Sequence, residues 1–176
     1  VIHHNYTVWV YIGAKLGKNK IVRPADRSFC VTLACKNTRK IMYSELKEII
    51  GQAWENRELL KEESVRQAVR QTVELVDKGE LRTAQPVDPE KSQWQVNEWV
   101  KKAIILYFPI QPMRKMEAGE LEWYDKMELK HGYEQLGVRA VPHAVARYGA
   151  YIAPGAILMP SYVNIGAYVD LSLIHI

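Results

Sequence analysis

A chain of 176 residues has room for one ordinary domain, or for a small domain joined to part of another. Its net charge of +4 lies at one end: residues 1–41 carry eight Lys or Arg and a single acid (8 − 1 = +7), whereas residues 42–176 carry 16 basic and 19 acidic side chains (16 − 19 = −3). The mildly acidic body argues against nucleic acid as a partner. Both cysteines, Cys30 and Cys35, lie in the first segment, which excludes disulfide and thiolate chemistry from residues 42–176.

Neither a membrane span nor a signal peptide is predicted. No apolar run approaches the roughly 18 residues of a spanning helix, and the N-terminal residues lack the charged-then-apolar order of a signal peptide. We therefore expect a soluble intracellular protein with no membrane partner.

The two ends of the chain look foreign to the rest. Residues 1–41 show no sustained helical or strand period and precede Met42, so we interpret them as upstream sequence translated in frame, or as a disordered leader. A basic targeting peptide is the alternative, although serines are few. The last six residues, Leu171-Ser-Leu-Ile-His-Ile176, match an in-frame reading of a transposase mosaic end used in sequencing libraries. We interpret residues 171–176 as a sequencing-adaptor scar, so that the protein continues beyond Asp170.

Helical patterns follow Met42. From Glu45, apolar residues recur at the spacing of one helical stripe: Leu46, Ile49, Ile50, Ala53 and Trp54. A second stripe extends from Val65 to Val76, and Gly79 is its expected C-cap. A third helix is predicted from Glu98 to about Tyr107, capped by Asn97 and ended by Pro109.

The segments between these helices are predicted as strands and loops. Leu81 to Gln85 is expected to be a short strand, and Trp94 to Val96 is expected to be extended. Pro109 to Glu120 is loop-like, Trp123 and Tyr124 are expected to pack, and Glu128 to Leu136 is expected to form a short helix.

A period of six residues begins at Val145. Large residues recur at Val145, Tyr151, Ile157, Val163 and Val169, and small ones four positions after the first four, at Gly149, Gly155, Ser161 and Ala167. This period fits neither a flat strand nor a helix and indicates a repeat architecture. It fits a left-handed parallel β-helix in which large residues point inward and small ones occupy the corners. Because stacked coils share their core, so few coils are marginal alone. The predicted class is α+β, with a mostly helical domain over residues 42–136 and the first coils of a truncated β-helix over residues 137–170.

These residues resemble the tetrahydrodipicolinate N-succinyltransferase family of hexapeptide-repeat enzymes. The resemblance covers residues 42–170, about the first half of such an enzyme. It is strongest in three runs: Gly137-Val-Arg-Ala-Val-Pro142, Arg147-Tyr-Gly-Ala-Tyr-Ile-Ala-Pro-Gly155 and Leu158-Met-Pro-Ser-Tyr-Val-Asn-Ile-Gly-Ala-Tyr-Val-Asp170.

The resemblance implies a cytoplasmic homotrimer in lysine biosynthesis. It would transfer succinyl from succinyl-CoA to the amino group of ring-opened tetrahydrodipicolinate, with succinyl-CoA as co-substrate and no bound cofactor or metal. The step requires amine deprotonation, positioning of a dicarboxylate and stabilisation of an oxyanion.

Arg139 is the one site residue that the resemblance supplies. The family's Gly-x-Arg-x-Val-Pro segment places this arginine against the substrate, and a guanidinium can bind a carboxylate through two parallel hydrogen bonds. The alternative roles are pairing with a neighbouring subunit and snorkelling of the side chain at the start of the β-helix. The catalytic residues are unknown and expected beyond residue 170. We expect Asp170 to be structural, His131 and His143 to be surface imidazoles, and Arg147 to pair across the trimer.

Three alternatives remain open. The first is another hexapeptide-repeat acyltransferase that uses acetyl-CoA, which the helical segment from Met42 disfavours. The second is a β-helical enzyme of the carbonic anhydrase type, which needs three histidines around a metal that this chain does not supply. The third is a non-catalytic β-helix fragment. The fragment is expected to be inactive alone in any case.

Overall fold

The computed structural model describes residues 33–88 and 93–171 and has a mixed α and β architecture, as the sequence predicts at that level. Three helices and two hairpins precede six two-residue strands. The helices are α1 (Leu33–Glu55), α2 (Glu63–Asp77) and α3 (Glu98–Tyr107), with a 3-10 helix at Arg57–Lys61. No helix of the described part is long and apolar enough to cross a membrane.

The three helices pack around one apolar core. The α2 stripe is buried as predicted, at Val65, Ala68, Val69, Thr72, Val73 and Val76. The C-cap prediction is also confirmed: Gly79 follows α2 with φ +75° and donates its N–H to the carbonyl of Val76 at 3.0 Å. This left-handed conformation satisfies a terminal carbonyl that the helix itself cannot pair.

Helix α1 begins earlier than predicted. It starts at Leu33 rather than near Glu45, so the last nine residues of the predicted leader are helical. These residues contain no glycine or proline, and extending an existing helix is far easier than nucleating one, even without an amphipathic stripe. The rest of the predicted leader, residues 1–32, and most of the predicted scar, residues 172–176, lie outside the described residues.

Helix α3 has the predicted bounds, but its start is held differently. Asn97 occupies the N-cap position, yet its side chain makes no capping bond. The amide of Asn97 instead donates to the carbonyl of Arg82 at 2.8 Å, and the backbone N–H of Asn97 donates to the carbonyl of Thr83, also at 2.8 Å. Asn97 therefore fastens the start of α3 to the chain that follows α2.

Two antiparallel hairpins project from the helices. The first pairs β1 (Ala84–Asp88) with β2 (Gln93–Val96), so the predicted first strand lies three residues later than expected. The second pairs β3 (Arg114–Ala118) with β4 (Leu121–Asp125), where the sequence predicts a loop. The expected packing of Trp123 and Tyr124 is also wrong, since both are exposed, Tyr124 by 68%. Ion pairs of Lys115 with Glu117 and Glu122 lie on this hairpin.

The short helix expected from Glu128 to Leu136 is absent. Residues 133–137 form a turn instead, in which Leu136 N–H donates to the carbonyl of Gly132 at 3.0 Å and Val138 N–H donates to that of Tyr133 at 2.8 Å. Gly132 and Gly137 both have positive φ, at +72° and +67°. Left-handed residues at both ends limit the segment to a single turn.

Residues 139–169 are extended and pair with themselves in parallel. The strands are β5 (Arg139–Ala140), β6 (Val145–Ala146), β7 (Tyr151–Ile152), β8 (Ile157–Leu158), β9 (Tyr162–Val163) and β10 (Tyr168–Val169). β5 pairs with β8, β6 with β9 and β7 with β10. The chain thus returns alongside itself after three strands, at a separation of 18 residues for the first pair (139 to 157) and 17 for the other two (145 to 162, 151 to 168).

The phase of the six-residue period is only partly as predicted. Val163 and Val169 are buried as predicted, but in the three preceding strands the buried residues are one position later than expected: Ala146, Ile152 and Leu158. The shift has a physical reason: the corner between β8 and β9 contains three residues, whereas the corner between β5 and β6 contains four. The separation between paired residues therefore falls from 18 to 17. The left-handed corners that follow β6, β7 and β9 are Gly149, Gly155 and Gly166. The corner that we expected at Ala167 therefore lies one residue earlier, at Gly166.

Candidate substrate-binding site

Arg139 lies on the outer face of the first parallel pair. It is exposed and pairs in register with Ile157, which is itself 42% exposed. Of their neighbours, which pair with each other, Leu158 is buried and Ala140 is half-buried. Within the described part of the chain, the Arg139 guanidinium makes no hydrogen bond or ion pair. It is therefore available to a carboxylate, with an apolar side chain beside it.

The corner that follows Arg139 has an unusual conformation. His143 has φ +77° and is the one non-glycine residue with positive φ among residues 33–88 and 93–171. A left-handed backbone at a side-chain-bearing residue costs on the order of 1–2 kcal/mol. His143 and its neighbour Pro142 are both exposed. The corner is closed by a hydrogen bond from Ala144 N–H to the carbonyl of Val141 at 2.8 Å.

A half-buried carboxylate connects the helices to the parallel strands. Asp77, the last residue of α2, accepts hydrogen bonds from Lys130 Nζ and from the backbone N–H of Gly149, both at 2.7 Å. The Lys130 side chain is only 6% exposed. Because a carboxylate is unfavourable at the negative end of a helix dipole, these two donors have to compensate it. Gly149 is also close to α2: an added Cβ would lie 3.0 Å from Val73 Cγ1.

A second contact surface involves aromatic rings. Tyr151 covers Gly79, where an added Cβ would lie 2.6 Å from the ring, and stacks on Tyr168 with centroids 4.4 Å apart. The Arg82 guanidinium lies 3.4 Å from the Tyr168 ring centroid, a cation–π geometry. Thr83 Oγ1 adds a hydrogen bond to the carbonyl of Gly166 at 3.1 Å. The segment after α2 therefore covers the outer face of the β7–β10 pair.

Arg147 pairs within its own chain. It binds Asp125 Oδ2 at 2.7 Å and Asn164 Oδ1 at 3.2 Å. These contacts tie the start of the corner after β6 to the end of β4, and the expected pairing of Arg147 across a trimer stays a prediction. Beside it in sequence, burial raises the pKa of Tyr148 to about 12, and the negative charge of Asp77 adds to the shift.

The other candidate residues do not converge on a centre. Asp170 is exposed, and its Oδ1 accepts from the backbone N–H of Leu171 at 2.9 Å, which is a local structural role. His131 is exposed in the loop before β5. In the described ranges, no group of three or more His, Cys, Asp or Glu side chains is placed to hold a metal ion.

Sequence reasoning did not find the contact between Asp77 and Lys130. The two residues are 53 positions apart, and each alone resembles a solvated surface charge. The only local signal was an acid at the end of a predicted helix, where the dipole disfavours it.

Comparisons with known proteins show similarity to one enzyme family. Residues 45–110 match the sequence profile described as "Tetrahydrodipicolinate N-succinyltransferase N-terminal". Three similar curated proteins, all named 2,3,4,5-tetrahydropyridine-2,6-dicarboxylate N-succinyltransferase, come from Chelativorans sp. (strain BNC1), Acinetobacter baylyi and Coxiella burnetii. Identities are 42% over 135 residues, 44% over 137 and 47% over 124, covering 70%, 72% and 66% of this chain and 47%, 49% and 45% of the relatives. The chain spans about half the length of the curated relatives it matches.

Proposed function

Because this chain carries the N-terminal domain of the tetrahydrodipicolinate N-succinyltransferase family, we propose that the complete protein is an N-succinyltransferase of the diaminopimelate route to lysine. In the proposed reaction the amino group of ring-opened, hydrated tetrahydrodipicolinate attacks the thioester carbonyl of succinyl-CoA. The new C–N bond replaces the C–S bond, the amine gives up a proton and CoA leaves as the thiol. The family match over residues 45–110 is the observation that carries the proposal.

The proposed architecture has two parts. Residues 42–136 would form the N-terminal helical domain and residues 137–170 the start of a left-handed parallel β-helix. Parallel pairing at separations of 17 and 18 residues supports this division, as do the left-handed corners at Gly149, Gly155 and Gly166. A side chain at such a corner would meet both the unfavourable φ and the neighbouring coil; at Gly149 an added Cβ would lie 2.7 Å from Ile165 Cγ1.

The proposed role of Arg139 is to bind one carboxylate of the acceptor. Its exposed position, and the lack of a partner among the described side chains, leave both edges of the guanidinium free for a two-point contact. Ile157 beside it would exclude water on one side and strengthen the charge interaction. We assign no catalytic base among the described residues. The proposal needs no cofactor, takes succinyl-CoA as co-substrate, and has a cytoplasmic homotrimer as the working assembly.

The complete protein that contains this chain provides the test. We expect it to transfer succinyl from succinyl-CoA with a kcat/KM well above that for acetyl-CoA, and sedimentation to give a trimer. Preference for acetyl-CoA would favour a different hexapeptide-repeat acyltransferase, and absence of both activities would leave a binding or structural role.

Arg139 is tested in the same assay. Arg139→Ala should raise KM for the dicarboxylate by about 10-fold to 100-fold, the loss expected for a charged two-point hydrogen bond, and leave KM for succinyl-CoA nearly unchanged. Arg139→Lys should recover part of the loss, because an ammonium keeps the charge but not the planar fork. Equal increases in both constants would contradict the assigned role.

A further inference from the structure

The corner between β5 and β6 contains one more residue than the corner of the next coil. Four residues, 141–144, lie between Ala140 and Val145, whereas three, 159–161, lie between their partners Leu158 and Tyr162. The other corners, 147–150, 153–156 and 164–167, also contain four residues, so the β8–β9 corner is the short one and residues 141–144 have no one-to-one partners in it. The two exposed residues of this corner are Pro142 and His143.

His143 also has a backbone conformation that favours glycine. Gly149 and Gly155, which follow His143 by six and twelve residues, adopt the same left-handed conformation, with φ of +85° and +88° compared with +77° for His143. Glycine would be the relaxed choice at all three corners. The His143 side chain is thus exposed, at a strained position, and has no partner among the described residues, which leaves its imidazole available to a ligand.

The position of this corner indicates which ligand. His143 follows Arg139 by four residues, so their Cα atoms are at most about 14 Å apart, and the closed turn at 141–144 brings them nearer. Both side chains are exposed. A guanidinium and an imidazole at this separation can each bind one end of a small molecule with two anionic groups.

We infer that His143 binds the second carboxylate of the dicarboxylate acceptor, opposite the carboxylate that Arg139 holds. The inference rests on the proposed function. An imidazole N–H donates to a carboxylate oxygen, so His143 and Arg139 together select a substrate with two acidic groups and orient the amine between them. His143 is thus a specificity-determining residue of the acceptor site.

The decisive variant is His143→Gly in the complete protein, because it separates the side chain from the backbone strain. Removing the strain should raise the Tm by about 2–4 °C, and removing the imidazole should raise KM for the dicarboxylate at least fivefold without changing KM for succinyl-CoA. His143→Asn, which tolerates the left-handed backbone and still donates a hydrogen bond, should give an intermediate KM. His131→Ala, a histidine in the loop before β5, is the matched control and should leave both constants unchanged.

Three results distinguish the possible failures. An active wild-type protein whose KM for the dicarboxylate is unchanged in His143→Gly would overturn this inference and leave the proposed function intact. A lower Tm together with higher KM values for both substrates would also overturn it, because the corner would then need the histidine for its fold. A wild-type protein that transfers no succinyl group would overturn the proposed function itself.

Discussion

Loss of the Asp77 carboxylate should destabilise the chain strongly. Asp77→Ala leaves the Lys130 ammonium without its counter-ion in a site where that side chain is 6% exposed, and leaves the Gly149 N–H without its acceptor. Removing one member of a buried ion pair costs about 3–5 kcal/mol, since the remaining charge stays desolvated. That is a large part of the roughly 5–15 kcal/mol that stabilises an ordinary domain.

Removing the Lys130 ammonium instead should lower the free energy of unfolding by less. Lys130→Met keeps the apolar stem and leaves Asp77, whose side chain is 18% exposed, still bound to the Gly149 N–H. We expect a loss of about 1–2 kcal/mol. In the double variant no buried charge remains, so its loss should be at least about 1 kcal/mol smaller than the sum of the two single losses.

Urea unfolding of the 176-residue chain measures this difference, provided that the m-value stays constant across the four proteins. The exposed pair of Glu74 and Lys78 on the same helix is the matched control, and its double-mutant cycle should be additive. Additive losses at Asp77 and Lys130 would refute the argument, because they would mean that neither charge depends on the other in the folded chain.

Two further predictions concern the junction between the helices and the parallel strands. Gly149→Ala should destabilise the chain by at least about 1 kcal/mol more than Gly155→Ala in urea unfolding. Both glycines have φ near +85°, but an added Cβ would lie 2.7 Å from Ile165 Cγ1 at Gly149 and 3.4 Å from Leu171 Cδ2 at Gly155. Equal losses of stability would contradict the closer packing at Gly149. The free energy of unfolding should fall as pH rises from 10 to about 12, because the pKa of Tyr148 is about 12 in the folded chain and near 10 in the unfolded chain. Tyr148→Phe should reduce this fall. A pH profile of stability that is the same in Tyr148→Phe and in the wild type would contradict the assigned burial of Tyr148.

The helices were predictable because their signal is local. The stripe from Val65 to Val76 and the Asn97-to-Pro109 segment each contain their own periodicity and boundary residues, and α2 and α3 appear almost where the pattern predicts. The β3–β4 hairpin was missed because Arg114 to Asp125 is largely exposed and charged, which is also typical of a loop.

The parallel strands were predicted less well. Their six-residue period is visible in the sequence, but its phase depends on how many residues each corner contains, which the period alone does not give. A single residue fewer between Leu158 and Tyr162 moves the inward side chain by one position. For the candidate site, the sequence indicated Arg139 through its motif, while the strained corner at His143 required the backbone conformation.

The central claim is that Arg139 lies on the outer face of the first parallel strand pair, and substitution of two adjacent residues tests it. Ile157 pairs with Arg139 on the outside, whereas Leu158, 6% exposed, faces the core. Leu158→Ala should therefore lower the free energy of unfolding by about 2–5 kcal/mol and Ile157→Ala by less than about 1 kcal/mol. The opposite order would mean that the period of six continues unbroken, with Ile157 and Arg139 turned inward, and Arg139 could then not bind a substrate.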